Sequence, residues 1–408
     1  MTTTDVPRDN AIDARSLPPV AASDHVTDIV GGIVQSTLDV GEAIGLPPEA
    51  YTSDEFFEFE RQAIFNRSWL FLCHANELAE QGASFRATIL GEPILATRSS
   101  DGSIHVMSAV CQHRGHSLCA DDVNGRHIRC PYHSWTYNLE GKLVGAPSMT
   151  PEWEIRQLRK NIRLPQIRCE VWQGLLFVNF DPDAAPLADS LHRLDGVITH
   201  YRMADLVPAA TIDLDGLAYN WKNMLENALE EYHTMYVHAG LHDNAPPELV
   251  RHGEYESGEA GIYRHAGLVI KGGEDVPGRP TFPLIDGLTE DARADMIFFA
   301  VPPSLFIVVY PHGIKSFRII PRSAGVIDMR VTFFYPPSTL ELPGFPKMLE
   351  EQMKFVELID QPDVETNLRV FEGLQSRFAP RGPLGPQERT LPQLYQWFSE
   401  LCSAAITN

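Results

Sequence analysis

Within the 23 residues from position 111 to 133 stand two short motifs that each pair a cysteine with a histidine: Cys111-Gln112-His113 and, after sixteen residues, Cys130-Pro131-Tyr132-His133. Four soft or borderline donors so arranged can surround one inorganic centre, either zinc or a cluster of two irons and two sulfides. Zinc fingers distribute their donors differently, Cys with Cys and then His with His, whereas each motif here supplies one of each. Unrelated core residues would not give this matched spacing.

A second constellation follows: Asn220-Trp221-Lys222, Glu226-Asn227, Glu230-Glu231-Tyr232-His233 and His238. Five residues along a straight helix turn a side chain by about 140°. Both imidazoles can therefore face one ion only if the helix bends or ends between them, and Gly240 is a candidate for that end. Two His and one carboxylate on one face of iron(II) leave positions open for dioxygen and substrate. The carboxylate candidates are Asp363 and Asp360, around Pro362. Those two also read as the first-turn acid and the cap of a helix starting there. His242 is a rival ligand. A solvated helix position is the plain reading of Glu226 and Glu231 and the favoured one for Glu231, and Asn227 is a candidate to hydrogen-bond near the ion.

The residues around the donors carry a resemblance. Cys111-Gln-His-Arg-Gly115 and Cys130-Pro-Tyr-His-Ser-Trp-Thr-Tyr137, followed by Gly141, resemble the cluster loops of Rieske oxygenases. Respiratory Rieske proteins carry an extra, disulfide-forming cysteine in each loop; His116 and Tyr132 stand there in this chain. Ser134 replaces the family's usual glycine and adds a hydroxyl near the cluster, and Cys119 is expected to pack in the loop. The run from Asn220 to His238 resembles the mononuclear-iron segment of the same family. Asp363 lies ten residues before Gly373-Leu374-Gln375-Ser376, about where family members carry the third ligand, although Phe371 replaces a frequent glutamine. The resemblance covers about residues 50 to 375.

It implies a terminal oxygenase with a Rieske [2Fe-2S] cluster on Cys111, His113, Cys130 and His133, and a mononuclear Fe(2+) on His233, His238 and Asp363. It also implies a homotrimer, with or without small beta subunits, in which Glu230 links a Rieske histidine of one subunit to His233 of the next. Glutamate at that position, with the shorter spacing seen here, leans toward mono-oxygenation of quaternary amines. No Gly-x-Gly-x-x-Gly follows a strand, so electrons from NAD(P)H are expected through a ferredoxin or flavin reductase. The alternatives are a quaternary-amine monooxygenase, a Rieske carrier with a non-catalytic binding domain, and a zinc-stabilised binding protein.

Composition bounds these readings. The 408 residues, 44% hydrophobic and 21% charged, are enough for two or three domains. A net charge of -21 argues against nucleic acid or anionic membrane as partner. Six cysteines, two of them assigned to the cluster, fit a reducing compartment. The chain has no signal peptide pattern and no membrane-length apolar run, so a cytoplasmic location is expected.

The elements that must position these residues read as an α+β chain. A disordered tail is expected over 1–25 and an N-terminal helical segment over 26–69, packing on the catalytic domain, with a helix from Thr52-Ser53-Asp54-Glu55 to about Asn66. A small all-β Rieske domain should occupy 70–182, with strands over 87–90, 94–97, 104–107 and 174–180. The α+β catalytic domain, 183–408, should pack a helix on an antiparallel sheet in helix-grip fashion. Leu187, Leu191, Leu194, Ile198 and Tyr201 mark an amphipathic helix. Residues 240–295 read as a long loop forming a lid, and 297–301, 305–310, 316–320 and 327–335 as a meander. A helix over 345–359 should break at Pro362 and resume. Phe282, Phe298, Phe306, Tyr310 and Phe317 should wall the pocket, and that apolar sheet points to a small aromatic substrate.

Overall fold

The computed structural model describes residues 17, 19–123, 125–238, 245–269 and 281–407. It divides into two compact units, one formed mainly by 67–185 and the other by 19–66 with 186–408. The six cysteines are free thiols. No helix among the described residues is long and apolar enough to cross a membrane.

The second unit begins with helix α1 (Asp24–Ile33), capped by the Ser23 hydroxyl, so helical structure is present before the boundary at 25. Helix α2 (Asp54–Glu60) follows. Its cap is Ser53 rather than Thr52: the Ser53 hydroxyl accepts from the Phe56 N–H, and a wider π-helical turn over Arg61–Phe65 completes the helix.

The first unit is built from short antiparallel strands. β1 (Leu70–His74) will pair with the last strand of the unit, whereas β2 (Ser84–Ile89), β3 (Glu92–Arg98) and β4 (Ile104–Ser108) form one meander. β5 (His127–Arg129), β6 (Thr136–Asn138) and β7 (Leu143–Gly145) form another. β8 (Arg168–Trp172) and β9 (Leu175–Asn179) close a third sheet in the order β1-β9-β8. The unit's core gathers Leu95, Met107, Leu118, Ile128, Trp135 and Tyr137, with Cys111 and Cys130 buried among them.

In the second unit, Leu187, Leu191, Leu194, Ile198 and Tyr201 are all buried, but on three short helical pieces instead of one helix. A seven-stranded antiparallel sheet then forms from β10 (Val207–Leu217), β11 (Val250–His252), β12 (Ile262–Gly267), β13 (Asp295–Val301), β14 (Leu305–Tyr310), β15 (Gly313–Ser323) and β16 (Val326–Tyr335). Its order is β10-β16-β15-β14-β13-β12-β11. Strands β11 and β12 correct the reading of 240–295 as a loop. On β12 the inward face is Ile262, Arg264 and Ala266, and a charged residue at the central inward position erases the alternation that announces a strand.

Helices α3 (Trp221–Leu229), α4 (Thr234–Val237), α5 (Phe345–Leu374) and α6 (Thr390–Thr407) belong to the same unit as the sheet. Helix α5 runs unbroken for 30 residues with Pro362 inside it, which corrects the expected break. The rung Pro362 removes is the one to the Leu358 carbonyl, and Leu358 is 73% exposed, so water can serve that oxygen.

Helix α3 is fixed by a polar tie through the core. Lys222 donates to Glu60 at 2.5 Å with both side chains buried, and its ammonium lies over the Trp221 and Phe398 rings. Burial pushes the Glu60 carboxyl up and the Lys222 ammonium down, each opposed by its partner's charge. Lys222→Met should therefore cost about 3–5 kcal/mol, because it strands a buried carboxylate, whereas Glu60→Leu with Lys222→Met should recover most of it. Denaturation of the three proteins checks this; equal loss in single and double variants would show that packing, not charge, is lost.

Candidate metal centres

In the first unit the two cysteine-histidine motifs fold as the same turn. The Cys111 N–H donates to the His116 carbonyl and the Gly115 N–H returns to the Cys111 carbonyl, at 2.9 and 3.0 Å. Likewise the Cys130 N–H donates to the Trp135 carbonyl and the Ser134 N–H to the Cys130 carbonyl, at 2.8 and 2.9 Å. Each turn needs a left-handed residue at its fourth step after the cysteine, and Gly115 and Ser134 supply it with φ of +72° and +58°. That accounts for the usual glycine at position 134. The Ser134 hydroxyl accepts from the Arg129 guanidinium at 3.0 Å.

The turns present their donors in a protected setting. Tyr137 hydroxyl lies 3.3 Å from Cys111 Sγ and accepts from the Gln112 N–H, so it can donate to a thiolate. Burial pushes the Cys111 thiol up, which disfavours a bare thiolate there and suits one bound to a metal. His113 stacks on Trp135 with centroids 4.6 Å apart, and its Nδ1 is buried without a hydrogen-bond partner among the described residues. The His113 and His133 rings are 4.6 Å apart. Two buried thiols and two clustered imidazoles fit a two-iron cluster. Cys119 is exposed, which corrects its expected packing role.

The second unit brings His233, His238 and Asp363 together, each offering one ligand atom within 4.8 Å of the others. Helix α3 ends at Leu229 and Glu230 is extended, so His233 opens a new helical turn, α4, which His238 closes with φ and ψ of -111° and 72°. The chain thus leaves the helix at the second histidine, and the rings meet with centroids 5.2 Å apart. Gly240 and His242 lie outside the described residues. Asp363 Oδ1 lies 2.9 Å from His238 Nε2 and 3.5 Å from His233 Nε2, yet has no hydrogen-bond partner among the described residues. Glu230 is buried and accepts both the His233 N–H and its Nδ1–H, which leaves the Nε2 lone pair facing Asp363. This donor set fits iron(II).

Asp360, one turn before Asp363, is occupied otherwise: buried Lys315 on β15 donates to both its oxygens at 2.7 and 3.0 Å. Neither acid sits at a helix start. Glu231 is 7% exposed rather than solvated; it packs beside Arg264 and His252, a role that its neighbour's histidine-spaced motif concealed. Glu226 accepts the Tyr51 hydroxyl at 2.6 Å, and burial pushes its carboxyl up to about 7.

All three triad residues and Asn227 line a cavity of about 180 Å³. Its floor is the inner face of the sheet, where Phe298, Phe306, Tyr310 and Phe317 stand, and helices α3 to α5 form its roof. Phe282 instead stacks on His312, with centroids 5.4 Å apart.

Comparison with known proteins agrees with both centres. A family model described as a Rieske [2Fe-2S] domain matches residues 68–167, and one described as a ring hydroxylating alpha subunit (catalytic domain) matches 203–404. The oxygenase subunit of carnitine monooxygenase from Escherichia coli K12 is 32% identical over 214 residues, 52% of this chain and 56% of that protein. The alpha subunit of biphenyl 2,3-dioxygenase from Rhodococcus jostii RHA1 is 34% identical over 203 residues, 48% of this chain and 42% of its own length. These matches thus span about half of each relative. In fold, the chain is similar to naphthalene 1,2-dioxygenase from Rhodococcus sp., with a TM-score of 0.76 at 21% identity over 95% of this chain and 99% of that one. A quaternary ammonium Rieske monooxygenase gives 0.74 at 23% identity, over 92% and 98%.

Two outcomes follow. Asp363→Ala should lose the mononuclear iron while keeping the two cluster irons and their sulfides, and Asp360→Asn should keep all three; iron and acid-labile sulfide per chain decide it, and the reverse pattern would move the third ligand to Asp360. Ser134→Gly should stabilise the first unit by about 1 kcal/mol, since glycine carries no left-handed penalty. Thermal denaturation at matched cluster content reads this, and a lower midpoint would contradict it.

Proposed function

Because the chain belongs to the family of Rieske oxygenase alpha subunits with a ring-hydroxylating catalytic domain, we propose that it is the terminal component of an oxygenase that hydroxylates a small organic substrate. The observation that carries this reading is the triad of His233, His238 and Asp363 at the end of an apolar cavity, a donor set that occupies only one face of an ion. When bound, the iron supplies dioxygen activation and the cluster supplies single electrons for it.

The protein's own residues do the rest. Glu230 holds the proton of His233 on Nδ1, so that Nε2 stays a donor throughout. Phe298, Phe306 and Phe317 give the substrate an apolar bed and keep bulk water from the reacting face. Lys315 keeps Asp360 engaged, leaving Asp363 for the metal. Electrons come from a ferredoxin or flavin reductase and enter at the cluster turns, where Arg114 and Tyr132 are exposed beside His113 and His133.

Glu230 is also the link to the cluster of a neighbouring subunit in a homotrimer. Supporting this, the outer side of the turn carrying the iron ligands exposes Tyr232, Met235 and Tyr236, at 50%, 42% and 72%, a patch suited to burial against another chain. Oxidative dealkylation of a quaternary amine is the second reading, favoured by the carnitine monooxygenase relatives.

Glu230→Gln should retain three irons per chain yet slow reoxidation of the reduced cluster by oxygen and substrate about 100-fold, the upper range for removing such a histidine partner. Stopped-flow absorbance of the reduced protein measures it. Wild-type reoxidation in this variant would remove Glu230 from the electron route.

A further inference from the structure

The cavity contains a polar pair that the triad does not use. Arg264 and Glu231 both line it, at 5% and 7% exposure. Their nearest approach, Nε to Oε2, is 3.9 Å, beyond a hydrogen bond. Both of those atoms are buried without a hydrogen-bond partner among the described residues. Among the described residues Arg264 makes one long bond, from its guanidinium to the Glu230 carbonyl at 3.4 Å, out of five available N–H donors. Glu231 Oε1 lies 3.4 Å from His252 Nε2. A buried donor and a buried acceptor left open side by side in a binding cavity are costly unless a guest completes them.

The sheet register shows what kind of guest. Arg264, Phe298, Val308 and Lys315 stand in one lateral row across β12, β13, β14 and β15. Three strand spacings separate its ends by roughly 14 Å. At one end the Arg264 guanidinium covers the Phe298 ring at 4.0 Å; at the other the Lys315 ammonium covers Phe317 at 4.6 Å. Two aromatic faces of the cavity are thus already occupied by the protein's own cations, which leaves them poor sites for a permanent ammonium. A carboxylate would meet Arg264 but also the Glu231 carboxylate beside it, and a hydrocarbon would leave both open atoms unmet. A neutral group carrying an acceptor next to an N–H or O–H donor satisfies both.

Resting on the oxygenase reading above, we propose that Arg264 and Glu231 form the specificity subsite for the non-reacting end of the substrate, and that this end is a neutral donor-acceptor group of the carboxamide class on an apolar body. The Arg264 guanidinium donates to the amide oxygen, and the amide N–H donates to Glu231 Oε2. The apolar body lies over Phe306 in the same cavity as the triad.

The test is calorimetric binding to the full-length, iron-loaded protein of four ligands with one ring and different ends: benzamide, benzoate, toluene and phenyltrimethylammonium. Benzamide should bind at least tenfold tighter than each of the others. The double variant Arg264→Met with Glu231→Met removes both charges together, so that neither is stranded, and in it the preference for benzamide should vanish; iron content and the cluster spectrum verify that the variant is folded. Tighter binding of benzoate or the ammonium, equal affinities across the panel including no binding at all, or a preference that survives the double variant would each overturn the proposal. Oxygen incorporation is followed separately. Loss of oxygenation with the amide preference intact would defeat the oxygenase reading alone, and oxygenation without the preference would defeat the subsite alone.

Discussion

The candidate iron site depends on how helix α5 is held against the sheet, and the contact that fixes it is the ion pair between Lys315 and Asp360. Asp360 and Asp363 are three residues apart and so share a helix face. Once the ammonium on β15 holds the first, the second is turned toward the two histidines. The pair is largely withdrawn from water, and breaking it would leave a buried ammonium on the cavity floor, so the helix has little freedom to rotate. The histidine side is fixed independently, by Glu230 through the tautomer of His233. The three donors converge because each is oriented by a second charged or polar group.

The parts of this arrangement legible in the sequence are those where chemistry dictates spacing. The paired Cys-His motifs, the histidines five apart and the need for the helix to end near them all follow from donor geometry, and strands β2, β3, β4 and β9 of the first unit follow from short apolar runs. What was illegible has a common cause in polar residues facing inward. Arg264 hid strand β12, Glu231 read as a solvated helix position, and Lys315 gave no sign that it would claim Asp360. Pro362 misled differently, because a proline inside a long helix costs one rung and a solvent-facing rung is tolerable. Inward charges break the local pattern because their partners come from distant strands and helices, which periodicity does not report.

The two cluster turns show the opposite economy: one backbone design used twice. Each cysteine is locked by a donated and an accepted main-chain bond before any metal arrives, and Tyr137 bridges the first turn to strand β6. Preformed turns reduce the ordering that cluster binding must impose. The serine in the second turn bears the left-handed backbone that glycine adopts freely, and gains a bond from Arg129 that glycine would lack.

Helix α5 finally carries a consequence for motion. Its missing rung falls at Pro362, between the residue tied to the sheet and the residue that faces the histidines. A long helix opens most cheaply where a rung is already absent, and the rung absent here, from position 362 back to Leu358, encloses Asp360. The Lys315 ammonium thus clamps the helix at a turn where its own backbone holds it least, and the next turn, which carries Asp363, takes its placement from the sheet as much as from the helix.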